Sequence, residues 1–302
     1  MDDRHGINSG GVNWLLFVSI LLQLLLTYFI IAFHSFFSFE KPSQYMVLLL
    51  SQVCTIFLPV VVYTMAKNVD VKGFFRIHRL SGKNVLLVLG LSFCGQFIGQ
   101  LLNAVVLFIL VKCNIPLQEN PLPVPQNIRD FMTAVLVLAL MPAVFEELLM
   151  RGVVIRGYEK RGTRTAAVLS AFLFGIMHLD VKNLLATIFM GLLLAYVVIK
   201  TGSILASILM HFTNNLLAVI GYMLAGASNQ VAWLFFICYL VALAAFVPLL
   251  LQFKKGNTAP SFLPQKKSLA FDFGRTLFSL PVMLIMAVFV IMQLFDFGIL
   301  NQ

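Results

Sequence analysis

The chain has 302 residues, of which 60% are hydrophobic and 11% charged, with a formal net charge of +9 and a mean hydropathy of +0.96. Soluble domains carry about 25% charged residues, so a soluble globular class is excluded and a polytopic membrane protein is indicated. The positive balance does not point to nucleic acid, because no basic, aromatic-interleaved soluble module is present; basic residues also gather in the cytoplasmic loops of membrane proteins.

Nine apolar segments are long enough, or nearly so, to cross a hydrocarbon core of about 30 Å, which takes about 20 helical residues. They lie near 12–33, 45–66, 85–111, 129–155, 164–179, 183–200, 203–225, 231–253 and 276–296. The first, from Val12 to Phe33, is too long for the core of a signal peptide and is not followed by a small-residue cleavage site, so it reads as a membrane helix. The fifth and sixth are short. Asp180, Val181 and Lys182 connect them tightly, which predicts an antiparallel pair. Strands are excluded, since backbone in lipid must satisfy its hydrogen bonds within its own segment. The expected fold is an all-α, polytopic transmembrane bundle in one integral membrane domain, 1–302, with a conical or bundle-like core.

Lysine and arginine orient the spans. With the amino end inside, the inner connections collect 17 of the 21 basic residues, and the outer ones hold Lys41, Lys112, Arg129 and Lys182. This bias predicts a multi-pass protein of the cell membrane with its amino end in the cytoplasm. The basic stretch 67–84 reads as an anchor on that face. Residues 254–275 carry two lysine pairs with Gly256, Pro260 and Pro264 between them, and read as a cytoplasmic linker before the last helix. The four cysteines are far apart and form no CxxC pair, so neither a redox nor a metal motif is predicted from them.

The costly groups inside the spans are few. Glu146 and Glu147 stand in the run from Pro142 to Gly152, and each carboxylate at membrane depth costs ~2.5 kcal/mol or more on insertion scales. Glu147 and Arg151 are four residues apart, on one helix face and in the favourable order, which predicts an ion pair. Arg151 leads into a basic loop, so it is expected to stay partly solvated and the site to lie toward the cytoplasmic face. Glu146 points about 100° away from that pair and has no cation on its own helix, which leaves it available as a general base. Pro142 should break the hydrogen-bond ladder and open space beside it. Phe174 and His178 share a face of the fifth segment, and His211 and Asn215 a face of the seventh. If these helices converge, Glu146, His178, His211 and Asn215 surround one polar chamber. Asn103, Asn214 and the glutamines Gln23, Gln52, Gln96, Gln100 and Gln293 read as interhelical glue. As a pattern, the acids and histidines suit a proton relay, a metal site or a hydrolase.

The sequence Glu146-Glu147-x-x-x-Arg151, then Phe174-x-x-x-His178, then His211-x-x-x-Asn215, resembles the three-part signature of the CPBP family (CAAX protease and bacteriocin-processing, or Abi) of intramembrane proteases. The resemblance covers about residues 129–225. It implies an endopeptidase acting on a membrane-associated peptide or protein, lipidated or not, in the bilayer, with Glu146 and His178 activating a water. It further implies that His211 and Asn215 stabilise the oxyanion, with Glu147 and Arg151 in support. It implies no cofactor; two histidines and a carboxylate are also a zinc donor set, but a metal-free glutamate mechanism is the favoured expectation. No HExxH, GxSG or GxGD motif is present. A bacteriocin-immunity or membrane-binding role that keeps the fold without hydrolysis is the alternative, and a proton-coupled transporter ranks behind both, since no pair of interrupted helices repeats.

Overall fold

The computed structural model describes residues 7–37, 43–115, 125–224, 229–257 and 267–298. Among them every regular element is a helix. The helices are α1 (Ser9–Phe37), α2 (Gln44–Ala66), the one-turn α3 (Val71–Phe74), α4 (Gly82–Lys112), α5 (Ile128–Glu159), α6 (Thr163–Met177), α7 (Leu184–Thr201), α8 (Ile204–Leu224), α9 (Asn229–Gly256), α10 (Leu269–Leu277) and α11 (Leu280–Asp296). Seven of them, α1, α2, α4, α5, α7, α8 and α9, are long and apolar enough to cross a membrane, and α10 and α11, bent by 73°, make an eighth if taken as one span. The expected polytopic helical bundle is therefore present. Of the nine expected crossings, the fifth is α6, whose 15 residues make about 22 Å of helix, less than a hydrocarbon core.

The helix carrying the two glutamates lies at the centre. In α5, 44% of the apolar stretch is buried by protein, against 6% in α9, which therefore lies at the lipid-facing periphery. α6 and α7 pack closely against each other. A Cβ on Gly191 would lie 2.9 Å from the Ala171 backbone, so only glycine lets α7 approach α6 this closely.

Two spans widen locally in the same way without breaking. In α2 the stretch Gln52–Phe57, and in α5 the stretch Val135–Leu140, are wound into wide turns with i→i+5 bonds; Pro59 and Pro142 follow each closely. Proline has no N–H for the carbonyl four residues earlier and its ring crowds that carbonyl; a wide turn accommodates both defects. A second wide turn, Leu148–Val154, follows the glutamates.

The basic loops meet at one end of the bundle. Arg76 pairs with Glu159 at the end of α5. Arg156 donates through Nε to the Phe74 carbonyl at 3.0 Å, and Arg161 donates to Ser9 Oγ at 2.6 Å and Thr276 Oγ1 at 3.0 Å. Asn84 and Asn257 exchange amide hydrogen bonds at 2.9 Å, which brings the start of α4 and the end of α9 to the same end. Of the stretch expected as a linker, residues 254–256 continue α9 and 269–275 form most of α10, while 258–266 lie outside the described residues. The helix α10 has inverted polarity: Asp272 and Thr276 are buried against the bundle, and Leu269 and Phe271 are exposed. Thr165 of α6 donates to Asp272 Oδ2 at 3.4 Å. The polar face docks on protein, leaving the apolar face for lipid.

Candidate active site

Three helices deliver three ionisable groups to one point. Glu146 Oε2 lies 3.9 Å from His178 Nε2 and 4.0 Å from His211 Nε2. The two imidazoles present the same ring nitrogen to the same carboxylate oxygen. That oxygen is buried and has no hydrogen-bond partner from the protein. The other oxygen, Oε1, accepts a hydrogen bond of 3.1 Å from Gln52 Nε2. Gln52 opens the wide turn of α2, whose Phe57 stacks on Phe145 with ring centroids 4.6 Å apart. Neighbouring wide turns thus aim the amide at the glutamate.

Each histidine is oriented through its Nδ1. His178 Nδ1–H donates to the Phe174 carbonyl at 2.7 Å, and since a carbonyl only accepts, the neutral ring keeps its lone pair on Nε2, toward Glu146. His211 Nδ1 is 3.0 Å from Glu147 Oε1. A carboxylate likewise takes the proton, so His211 Nε2 is an acceptor in the neutral ring and a donor only in the imidazolium. Phe174 meets each of the two rings edge-on, at 4.7 and 5.8 Å between centroids.

Glu147 and Arg151 form the expected ion pair, 2.8 Å between Nη1 and Oε1. The expected partial solvation of Arg151 is not found: both side chains are 0% exposed. Arg151 donates through Nη2 to the Gly191 carbonyl at 3.0 Å and lies 4.6 Å from the centroid of the Phe174 ring. The close α6–α7 packing at Gly191 draws the cation inward, away from the loop. Glu146 is likewise 13 residues before Glu159 at the basic end, about 20 Å of helix. The open side is at His178, whose side chain is 32% exposed against 8% for Glu146.

The turn after His178 is held from α11. Leu179 has φ +51, a left-handed conformation that costs about 1–2 kcal/mol in a non-glycine residue. Gln293 offsets that cost by donating to the Leu179 carbonyl at 2.8 Å and accepting from Val181 N at 2.9 Å.

Asn215 makes a contact that its place in the motif did not announce. Its Nδ2 donates to the Leu138 carbonyl at 3.2 Å, the carbonyl four residues before Pro142 that loses its partner to the proline. One amide hydrogen is therefore committed to the backbone of α5.

Sequence reasoning put Gln52 among the interhelical glue and missed its contact with Glu146. Pro59, seven residues later and parallel to Pro142 in α5, marks a broken helix bond but names no partner for Gln52.

Two histidines and a carboxylate suit Zn²⁺ chemically, but metal–ligand bonds of about 2.0–2.1 Å bring donors to within about 3.4 Å of one another. Among the described residues no group of three or more His, Cys, Asp or Glu is placed to hold a metal ion. The two Nε2 atoms, 3.9 and 4.0 Å from Glu146 Oε2, are spaced more widely than that.

A buried carboxylate with a free oxygen facing two imidazoles inside a helical bundle has the groups that acid–base chemistry needs. Residues 128–217 match the family model described as type II CAAX prenyl endopeptidase Rce1-like, and the likeness to the CPBP family read from the three motifs holds over that segment. The chain is also 29% identical over 103 residues to a Bacillus subtilis (strain 168) protein named "Putative membrane peptidase YdiL". That match takes in 34% of this chain and 42% of the relative, so less than half of the relative's length is spanned. No solved structure matches the chain. Gln52 and Gln293 lie outside the segment matched by the family model.

Proposed function

We propose that the protein is an intramembrane endopeptidase that hydrolyses a peptide bond of a membrane-associated peptide or protein, with water activated by Glu146 and His178. The observation that carries this reading is the unpartnered Glu146 Oε2 beside the Nε2 atoms of His178 and His211, 3.9 and 4.0 Å away. A water with hydrogen bonds of about 2.8 Å spans such a separation, giving one hydrogen to Glu146 and one to the His178 lone pair. As the water oxygen bonds to the scissile carbonyl carbon, its proton passes to Glu146. The tetrahedral oxyanion is met by His211 Nε2–H in the imidazolium form and by the second Asn215 amide hydrogen; such donors are worth ~3–4 kcal/mol of barrier. Glu146 then returns the proton to the leaving nitrogen as the C–N bond breaks. Glu147 holds His211, and Arg151 holds Glu147. The reaction needs no metal in this scheme. The distribution of lysine and arginine supports an amino end on the cytoplasmic side.

The test compares membrane peptides from cells carrying the parent protein with those from cells carrying Glu146→Ala or His178→Ala. Cleavage products should vanish while both variants accumulate in the membrane at parental levels. Undiminished cleavage by both variants would overturn the proposal.

A further inference from the structure

Away from the glutamates, α6, α7, α9 and α10 enclose a lateral cavity of about 940 Å³, near the upper end of the range for ligand pockets, about 300–1,000 Å³. Neither the glutamates, the histidines, Asn215 nor Gln52 line it. Leu193 of α7 and Leu250 of α9 contribute to its apolar wall, and its charged lining residues are Arg164, Lys200 and Lys254, with no acid among the rest. These three cations occupy helix ends: the second residue of α6, the penultimate residue of α7 and the last turn of α9. All three ends belong to the basic face of the bundle.

We propose that this cavity binds an anionic phospholipid, its acyl chains along α7 and α9 and its phosphate on Arg164, Lys200 and Lys254. Charge is the first argument. A cavity with an apolar wall and three cations at one end matches a molecule with hydrocarbon at one end and a negative phosphate at the other; basic pockets between membrane helices hold such headgroups. The cationic part of a zwitterionic headgroup would meet these three charges unfavourably. The second argument is the α6 terminus. Its N-cap is Gly162, and no side chain caps the first turn. A 15-residue helix that begins this way directs backbone N–H groups and the positive end of its dipole to the place where Arg164 stands. The third is α10, whose Leu269 also lines the cavity. Its polar face is turned to protein and its apolar face outward, with Lys267 4.2 Å from the Phe271 ring centroid. This is the pattern of a helix lying at headgroup level, which puts the cations at the depth of lipid phosphates.

The cavity also touches the helix that supports the glutamates. Leu193 is two residues beyond Gly191, whose carbonyl receives Arg151. A lipid filling the cavity bears on α7 close to that bond.

The experiment is native mass spectrometry of the delipidated full-length protein in detergent. The added probes are phosphatidylglycerol, phosphatidylcholine with the same chains, or glycerol 3-phosphate as a phosphate without chains. Phosphatidylglycerol should be retained at least tenfold better than phosphatidylcholine. The double variant Arg164→Gln/Lys254→Gln, at exposed positions, should lose roughly fivefold in phosphatidylglycerol retention per cation removed, with phosphatidylcholine unchanged. Val168→Trp, which fills the cavity, should lower retention of both lipids; if it fails to accumulate, the charge variant decides alone. Equal retention of the two lipids, or no effect of the charge variant, would overturn the proposal. So would competition by glycerol 3-phosphate at concentrations equal to the lipid, which would assign the cations to a soluble phosphate.

Discussion

Gln52 donates to Glu146 across the α2–α5 contact, 3.1 Å from nitrogen to oxygen. The bond fixes one carboxylate oxygen and thereby aims the other at the two histidines. Hydrogen bonds to charged groups are worth about 1.5–3 kcal/mol. Under the proposed mechanism Gln52→Leu should therefore lower kcat by roughly 10- to 100-fold, with KM nearly unchanged because the amide holds Glu146 and not the substrate. Steady-state kinetics on a cleavable membrane peptide separates the two constants, and a change confined to KM would contradict this role.

The Glu147–Arg151 pair should behave as structure. Removing one partner of a buried ion pair costs about 3–5 kcal/mol because it strands the other charge. Arg151→Leu should lower the thermal unfolding midpoint in detergent markedly, and Glu147→Leu/Arg151→Leu should recover part of the loss. Glu146→Gln, which leaves the Glu147–Arg151 pair intact, should leave the midpoint near that of the parent while abolishing cleavage.

His178 should respond to the identity of the replacement. Asparagine reaches the Nδ1 position and can keep the bond to the Phe174 carbonyl, but it puts nothing at Nε2. His178→Asn is thus expected to fold and to lose the acid–base contribution, about 10²–10⁴-fold in kcat. Gln293→Leu acts at one remove, through the Leu179 turn, and should cost less. Activity measured beside protease resistance of the turn tests that ordering.

Asn215 serves α5 through the carbonyl orphaned by Pro142, and a double-mutant cycle can divide that task from catalysis. Pro142→Ala restores the missing N–H, so Asn215→Ala should destabilise the Pro142→Ala protein less than the parent, by about 1 kcal/mol. If Asn215 also meets the oxyanion, kcat stays depressed by about 10²–10³-fold in both backgrounds. Recovery of kcat with stability would remove Asn215 from the proposed chemistry.

The site was partly legible because charge in hydrocarbon is conspicuous. Glu146, His178 and His211 stand out from apolar helices by their insertion cost, and the Glu147–Arg151 spacing specifies its own pairing. Gln52 was not legible: a neutral amide in a membrane helix costs little and its spacing names no partner, so only the tertiary contact distinguishes it from glue. The wide turns were half visible, through Pro142 and Pro59, because proline marks the broken bond but not how the chain repairs it. The burial of Arg151 depends on the Gly191 carbonyl from another helix, which no local pattern announces. Helix α10 was hidden by the lysines and prolines around it, although Asp272 and Thr276, four residues apart, already mark a polar face.

The Glu147–Arg151 bond closes within a single turn of one helix. It can form as soon as α5 does, before any neighbour arrives. During biogenesis the segment can therefore leave the translocon with one uncompensated acid instead of two acids and a base in search of partners. The remaining acid, Glu146, meets Gln52 on a helix that precedes α5 in the order of synthesis. The order of synthesis thus matches the order of electrostatic need. Replacing Arg151 by alanine should accordingly reduce membrane insertion of the α5 segment in a glycosylation-mapping assay more than replacing Glu146 does.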